Sequence, residues 1–183
     1  MLFEVESKIE VDKKDLKEII SRIKKIANFT KKQTKFDQYF SLERAFYPRK
    51  AFRIRSEEKD NIVNFKIWVK KFWKGGVVVK EEYEFKIKNK ENFLALMKDL
   101  GFRKWINKIK ISETYQHKKY KKLNIELNEV KNLGYFIEIE YLAKKYEIDK
   151  ARYLIKKTIK ELNINENKIN NTGYTKMLWR KKH

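Results

Sequence analysis

The sequence predicts one α+β domain dominated by roughly eight antiparallel strands. Three observations predict it. Apolar and charged residues alternate with period two through most of the chain. Three stretches carry apolar residues at helical spacing, and turn signals divide the alternating segments. No internal repeat or low-complexity linker breaks the 183 residues, and 42% hydrophobic content supplies an ordinary core. A chain of this length buries roughly 70% of its unfolded surface.

Residues 3–11 set Phe3, Val5, Ile9 and Val11 against Glu4, Glu6, Lys8 and Glu10, the signature of a strand. Asp12 is expected to cap a helix carrying Leu16, Ile19, Ile20, Ile23 and Ile26. Residues 34–42 read as a strand leading into a loop around Glu43–Pro48. Residues 51–57 oppose Phe52 and Ile54 to Arg53 and Arg55. Residues 62–73 oppose Val63, Phe65, Ile67 and Val69 to Asn64, Lys66, Trp68 and Lys70. Gly75-Gly76 signals a hairpin turn into a strand at 77–88, with Tyr83, Phe85 and Ile87 on its apolar face. A second helix carries Phe93, Leu94, Met97 and Leu100 and stops at Gly101. Strands at 104–115, 123–129 and 135–141 follow. Asp149 is expected to cap a third helix with Leu154, Ile155, Ile159 and Leu162; Arg180-Lys181-Lys182 closes the chain as a solvated tail.

Composition excludes several chemistries. There is no Cys, so thiolate catalysis, disulfides and Cys-ligated zinc are absent. Two His, at 117 and 183, leave no basis for a His-built metal site or a nucleophilic triad. No apolar run approaches the ~20 residues of a membrane span, and no signal peptide is evident; a cytoplasmic location is expected. The net charge is +21. It fits an anionic partner or simply a Lys-rich composition, and placement must decide.

The charges are clustered. Acidic pairs recur two residues apart at Glu4/Glu6, Glu82/Glu84 and Glu138/Glu140, and basic pairs at Arg53/Arg55 and Lys108/Lys110. A spacing of ~6.6 Å along a strand costs two carboxylates roughly 2 kcal/mol at an effective dielectric near 20. Such faces are either solvated or, in a sheet that curls into a barrel, converge on an interior. Convergence would require a hard, oxygen-preferring cation, Mg²⁺ or Mn²⁺, with an anion such as a polyphosphate on the basic residues.

Glu4-Val5-Glu6-Ser7-Lys8 is similar to the E-x-E-x-K signature of the CYTH family, the triphosphate tunnel metalloenzymes. The resemblance continues through Asp37-Gln38-Tyr39-Phe40, Arg53-Ile54-Arg55, Lys66, Lys80-Glu81-Glu82-Tyr83-Glu84 and Lys108-Ile109-Lys110. The run from Leu127 to Glu140 resembles the late signature L-D-x-V-x-x-L-G-x-F-x-E-I-E, and Gly173–Leu178 resembles the terminal S-Y-x-x-L-L. The nearest group within the family is the class IV adenylate cyclases. The resemblance implies a closed antiparallel eight-stranded barrel with flanking helices. It implies divalent metal at Glu4, Glu6, Glu138 and Glu140. It implies triphosphate on Lys8, Arg53, Arg55, Lys66, Lys108 and Lys110, with Lys80, Glu82 and Glu84 lining the tunnel. Asn128 stands where the family has Asp. Its amide offers a carbonyl oxygen without charge, which lowers the expected affinity, above all for a second metal ion. Glu126 shares its face, with an ordinary ion pair as its expected role. Lys at 80 and 110 in place of Arg keeps charge but gives up bidentate contacts.

The expected function is divalent-metal-dependent hydrolysis of a triphosphate, inorganic or organic. The runner-up is cyclisation of ATP to cyclic AMP and pyrophosphate. With no His as general base, a carboxylate or the metal is expected to activate water, with Lys66 as the weaker candidate. A non-catalytic polyphosphate or nucleic-acid binder is the alternative from another class, and a homodimer is compatible with the chain. Lys80 and Lys86 are expected to neutralise Glu82 and Glu84. Tyr39 and Tyr174 are expected to pack, and Trp68 to sit at a rim.

Overall fold

The computed structural model describes residues 2–43, 45–57 and 60–183, with Glu57 by its backbone alone; of the loop expected at 43–48, Arg44 lies outside the described residues. The strands are β1 (Phe3–Val11), β2 (Ala27–Ser41), β3 (Phe52–Glu57), β4 (Asp60–Trp68), β5 (Val78–Ile87), β6 (Arg103–His117), β7 (Leu123–Val130) and β8 (Gly134–Ala143). They close into an antiparallel barrel in the order β1-β5-β4-β3-β2-β6-β7-β8. The helices are α1 (Leu16–Ile26), α2 (Lys90–Asp99), α3 (Ile148–Glu161) and α4 (Tyr174–Lys182). None is long and apolar enough to cross a membrane.

The chain divides into two compact units, one of Met1–Gln33, Ile67–Glu81 and Ile111–Asn171, the other of Thr34–Lys66, Glu82–Lys110 and Thr172–His183. In the first, α1 and α3 pack on the apolar faces of β1, β7 and β8. Val5, Ile9, Ile23, Ile125, Ile137 and Ile155 are wholly enclosed there. β1 is buried on both faces, so Glu4, Glu6 and Lys8, on its charged face, are only 3–5% exposed. This excludes the solvated reading of that face. β5 pairs with β1 only over residues 3–6, while β8 runs the length of the strand. Beyond that point the last segment of the unit takes over. Asn170 N donates to Lys8 O (2.8 Å), Asn171 Oδ1 accepts from Lys8 N (2.9 Å), and Ile169 bridges Ile9. Asn171 also donates to Gly76 O, which Ser7 Oγ reaches from β1, fixing the Gly75-Gly76 turn.

In the second unit Phe40, Phe52, Ile54 and Val63 pack with Phe93, Leu94, Met97 and Phe102. The predicted stop of α2 is formed as a Schellman cap. Gly101 sits at φ +91°, Phe102 N donates to Met97 O (2.9 Å) and Gly101 N to Lys98 O (3.1 Å).

Several expectations are corrected. Asp12 makes no cap; a one-turn helix at Lys13–Asp15 intervenes, and the Asp12 carboxylate accepts from Lys168 Nζ (2.6 Å). Asp149 lies inside the first turn of α3, paired with Arg152. β2 begins seven residues before the expected start at 34, where exposure on both faces hides the alternation. The basic tail is the last turn of α4. The apolar face expected of β4 and β5 is buried at Val63 but open further along, where Phe65, Ile67 and Phe85 are 38–48% exposed.

Candidate functional site

Each unit carries a charged cluster built from facing strands. The first is acidic and begins with strand register. β1 and β8 place Glu6 directly across from Glu140, and β7 and β8 place Glu126 across from Glu138. Like charges directly opposite are destabilising. At roughly 5 Å and an effective dielectric near 20, each pair costs roughly 3 kcal/mol when both members are ionised. The side chains converge: Glu4, Glu6 and Glu140 bring carboxylate oxygens within 4.8 Å of one another, and so do Glu126, Glu138 and Glu140. Glu126, expected in an ordinary ion pair, thus stands in the acidic set, held by Thr114 Oγ1 at 3.4 Å.

Lys80, directly across from Glu4, donates from Nζ to Glu4 Oε1 (3.3 Å) and Glu6 Oε1. The same ammonium lies 4.8 Å over the Trp68 ring, which meets Trp73 edge-on. Lys80 therefore finds Glu4 and Glu6 as partners, and the expected neutralisation of Glu82 falls to other residues; Lys86 bonds Asp60. Lys8 is buried in this unit across from Glu138, with Nζ 5.7 Å over Phe136. Asn128 is held at both ends of its amide. Nδ2 donates to Glu138 Oε2 (2.8 Å), and Oδ1 accepts from Ser112 Oγ (2.6 Å).

The cluster's electrostatics follow from burial. Burial drives the Glu6 carboxyl up from 4.5 to about 7; Lys80 opposes the rise, and Glu4 and Glu138 add to it. Burial likewise raises Glu140 well above the usual range, reinforced by Glu126, Glu4, Glu138 and Glu6. Glu4, Glu6, Glu126, Glu138 and Glu140 gather here, with Lys8 across from Glu138 and Lys80 across from Glu4. The donor set is all oxygen, without His or Cys. It fits a hard divalent cation of the Mg²⁺ or Mn²⁺ type.

The second cluster is basic and is organised by Asp37, to which the sequence analysis gave no role. β2 and β3 pair Asp37 with Arg55 and Tyr39 with Arg53. Arg55 holds Asp37 through two parallel bonds, Nε to Oδ1 at 2.7 Å and Nη2 to Oδ2 at 3.0 Å. Lys108 Nζ lies 2.9 Å and Arg53 Nη1 3.7 Å from Oδ2. Asp37 is wholly buried. Burial alone would raise its pKa, but Lys108, Arg53 and Arg55 hold it well below the carboxylate range. Glu82 accepts from Lys66 Nζ (3.2 Å) and Asn64 Nδ2, and lies 3.6 Å from Arg53 Nη2; Glu84 lies at the edge, 3.4 Å from Asn64 Nδ2.

Lys108 Nζ stands over Tyr39 (5.8 Å) and Tyr174 (5.4 Å), and Lys110 Nζ over Tyr174 (6.0 Å). Both tyrosines border the cations. The Tyr39 phenol is also perturbed: burial pushes its pKa up, but Lys108 and Arg53 outweigh burial and leave it lowered. Arg53 Nε is buried with no acceptor among the described residues. The arrangement can bind anionic oxygens. Its cations are fanned by one buried carboxylate, and guanidinium groups match phosphate geometry.

The comparisons with known proteins agree with this geometry. A Methanocaldococcus jannaschii protein, provisionally named an adenylate cyclase, is 33% identical over 143 residues, covering 76% of this chain and 77% of that one. The PH1819 protein of Pyrococcus horikoshii superposes with a TM-score of 0.77 at 27% identity, over 97% of this chain and 99% of that one. A Hippeastrum protein, provisionally named an adenylyl cyclase and described as having a dominant triphosphatase activity, shares the fold. Its TM-score is 0.65 at 15% identity, over 100% of this chain and 96% of that one. A family model described as the CYTH domain matches residues 2–173, and the chain belongs to that family.

Proposed function

We propose that the chain is a divalent-metal-dependent enzyme that hydrolyses a triphosphate. The observation that carries this is the acidic cluster, whose facing pairs Glu6/Glu140 and Glu126/Glu138 bring carboxylate oxygens within 4.8 Å of one another in two sets of three. Glu4, Glu6, Glu138 and Glu140 would hold the cation, with Glu126 beside them and Asn128 orienting Glu138. When bound, the cation would neutralise charge on the phosphate oxygens. Arg53, Arg55, Lys66, Lys108 and Lys110 would bind phosphate oxygens, and Asp37 holds the two guanidiniums and Lys108 at fixed orientation. Preorganised donors of this kind stabilise charge without reorganising during reaction. A carboxylate left outside the metal's coordination takes the proton of the attacking water.

The cyclase reading is favoured by one finding, the Methanocaldococcus relative at 33% identity. There a ribose hydroxyl replaces water and attacks the α-phosphate. The test is a product assay with tripolyphosphate and with ATP, under Mg²⁺ and separately Mn²⁺. Phosphate release without cyclic AMP establishes the triphosphatase; cyclic AMP with equal pyrophosphate establishes the cyclase. Glu138→Gln abolishes either activity. A variant that binds tripolyphosphate as well as or better than its parent, where neither shows turnover, would identify a non-catalytic binder instead.

A further inference from the structure

A third group of charges, on an exposed surface, lies outside both clusters. α3 buries Ile148, Ala151, Leu154, Ile155, Thr158 and Ile159 and turns its other face outward. On that face, with the one-turn helix at Lys145–Glu147 before it, the stripe reads Tyr146, Lys150, Tyr153, Lys157, Lys160. The spacing of four, three, four and three residues puts all five on one line. Beside it runs the turn between β6 and β7, Lys118-Lys119-Tyr120-Lys121-Lys122. Lys122 Nζ donates to Glu147 Oε1 (2.7 Å) at one end, and Lys157 Nζ to the Tyr120 hydroxyl (3.4 Å) toward the other. Residues 118–122 and 144–160 hold eleven basic and two acidic side chains, so an eighth of the chain carries +9 of its +21. Uniform Lys enrichment does not produce that concentration.

Two features specify the partner. Tyr146 and Tyr153 are 79% and 64% exposed, the most exposed large hydrophobic side chains among the described residues. They lie seven residues apart, roughly 10 Å along the helix, with lysines between and around them. Lys144 Nζ lies 5.9 Å over Tyr146, and Tyr120 stacks on His117 at 4.6 Å. Open aromatic faces set in a cationic track suit unpaired bases on a phosphate backbone. A duplex hides its base faces. A membrane-surface helix needs bulky aliphatic residues that this stripe lacks.

We propose that the face made by α3 and the β6–β7 turn binds single-stranded nucleic acid, with Tyr146 and Tyr153 stacking bases and the flanking lysines tracking phosphates. The proposal is independent of the triphosphate chemistry. The test is fluorescence anisotropy with a fluorescein-labelled oligouridine RNA of about 20 nucleotides and a 5′-hydroxyl, which offers no triphosphate to the other clusters. Replacing both tyrosines by Ala weakens binding about tenfold or more, while replacing both by Phe preserves it. Lys150→Ala with Lys157→Ala lowers the salt slope of log K by about 1.4. All four positions are exposed, and thermal melting confirms that each variant folds. Equal affinity for duplex RNA or phosphatidylserine vesicles, or no loss on replacing both tyrosines by Ala, would overturn the proposal and leave a merely Lys-rich surface.

Discussion

Lys80 is the most informative residue to change. Its ammonium lies between Glu4 and Glu6, 3.3 Å from the first and closer to the second. At that distance one pair gains roughly 5 kcal/mol at an effective dielectric near 20, most of it spent on desolvating the charges. Removing one partner of a buried pair leaves the other uncompensated and typically costs about 3–5 kcal/mol. For a chain of this size that is a fall in Tm of roughly 8–15 °C. Lys80→Met keeps the aliphatic stem and removes only the charge. In EDTA the variant is therefore expected to melt about 10 °C below the parent. In excess Mn²⁺ the gap should shrink to about 3 °C, because a divalent ion supplies the counter-charge in place of the ammonium. Scanning calorimetry or dye-based melting measures both gaps. An equal gap in EDTA and Mn²⁺ would refute the reasoning, since it would mean that Lys80 acts through packing on Trp68 and that no cation reaches Glu4 and Glu6.

Three further outcomes are expected. Glu6 has a pKa of about 7 when folded against 4.5 ordinarily, so the folded state binds the extra proton between those values. Its contribution is most favourable below about pH 4.5 and is lost as pH rises to about 7, by about 3 kcal/mol. Urea midpoints of metal-stripped protein should drop across that range and flatten in Glu6→Gln; parallel profiles would contradict it. Asp37→Asn leaves Arg53, Arg55 and Lys108 without their shared anion and should cost about 3–5 kcal/mol by urea unfolding. Tripolyphosphate should restore much of that loss, and failure to do so would separate Asp37 from phosphate binding. Asn128→Asp removes the donor to Glu138 Oε2 and places a sixth carboxylate at 2.8 Å from it. Without metal it should destabilise by about 2 kcal/mol. Calorimetric titration should show Mn²⁺ binding about tenfold tighter, and unchanged affinity would place Asn128 outside the metal's reach.

What the sequence made legible was alternation, and alternation identifies faces. Glu4, Glu6, Lys8, Glu138 and Glu140 were readable as one charged set because β1 and β8 each oppose them to an unbroken apolar face that packs on α1 and α3. What alternation does not encode is register. That Glu6 faces Glu140, that Lys80 faces Glu4, and that Asp37 faces Arg55 depends on how strands slide past one another. The partners of Lys80 and the organising role of Asp37 were therefore invisible. Phe65 and Phe85 show the converse limit. Their pattern is that of a buried face, yet they are 38% and 47% exposed, because period alone does not say how far along a strand the packing extends. The start of β2 and the short, basic α4 have neither a clean period nor a capping side chain to announce them.

The way β1 is bordered has a consequence for synthesis. β1 is made before the segments that seal it, β8 on one side and β5 with residues 169–171 on the other, with Lys8 and Asn171 separated by 163 positions. Until those arrive, β1 has bare edges, and an unpaired strand is a template for pairing with other chains. Contacts of such long range also make folding slow. Glu4, Glu6 and Lys8 stand on that waiting strand as charges, and charges are what keep an open edge from recruiting its neighbours. The same three side chains thus serve the nascent chain before they serve the finished site.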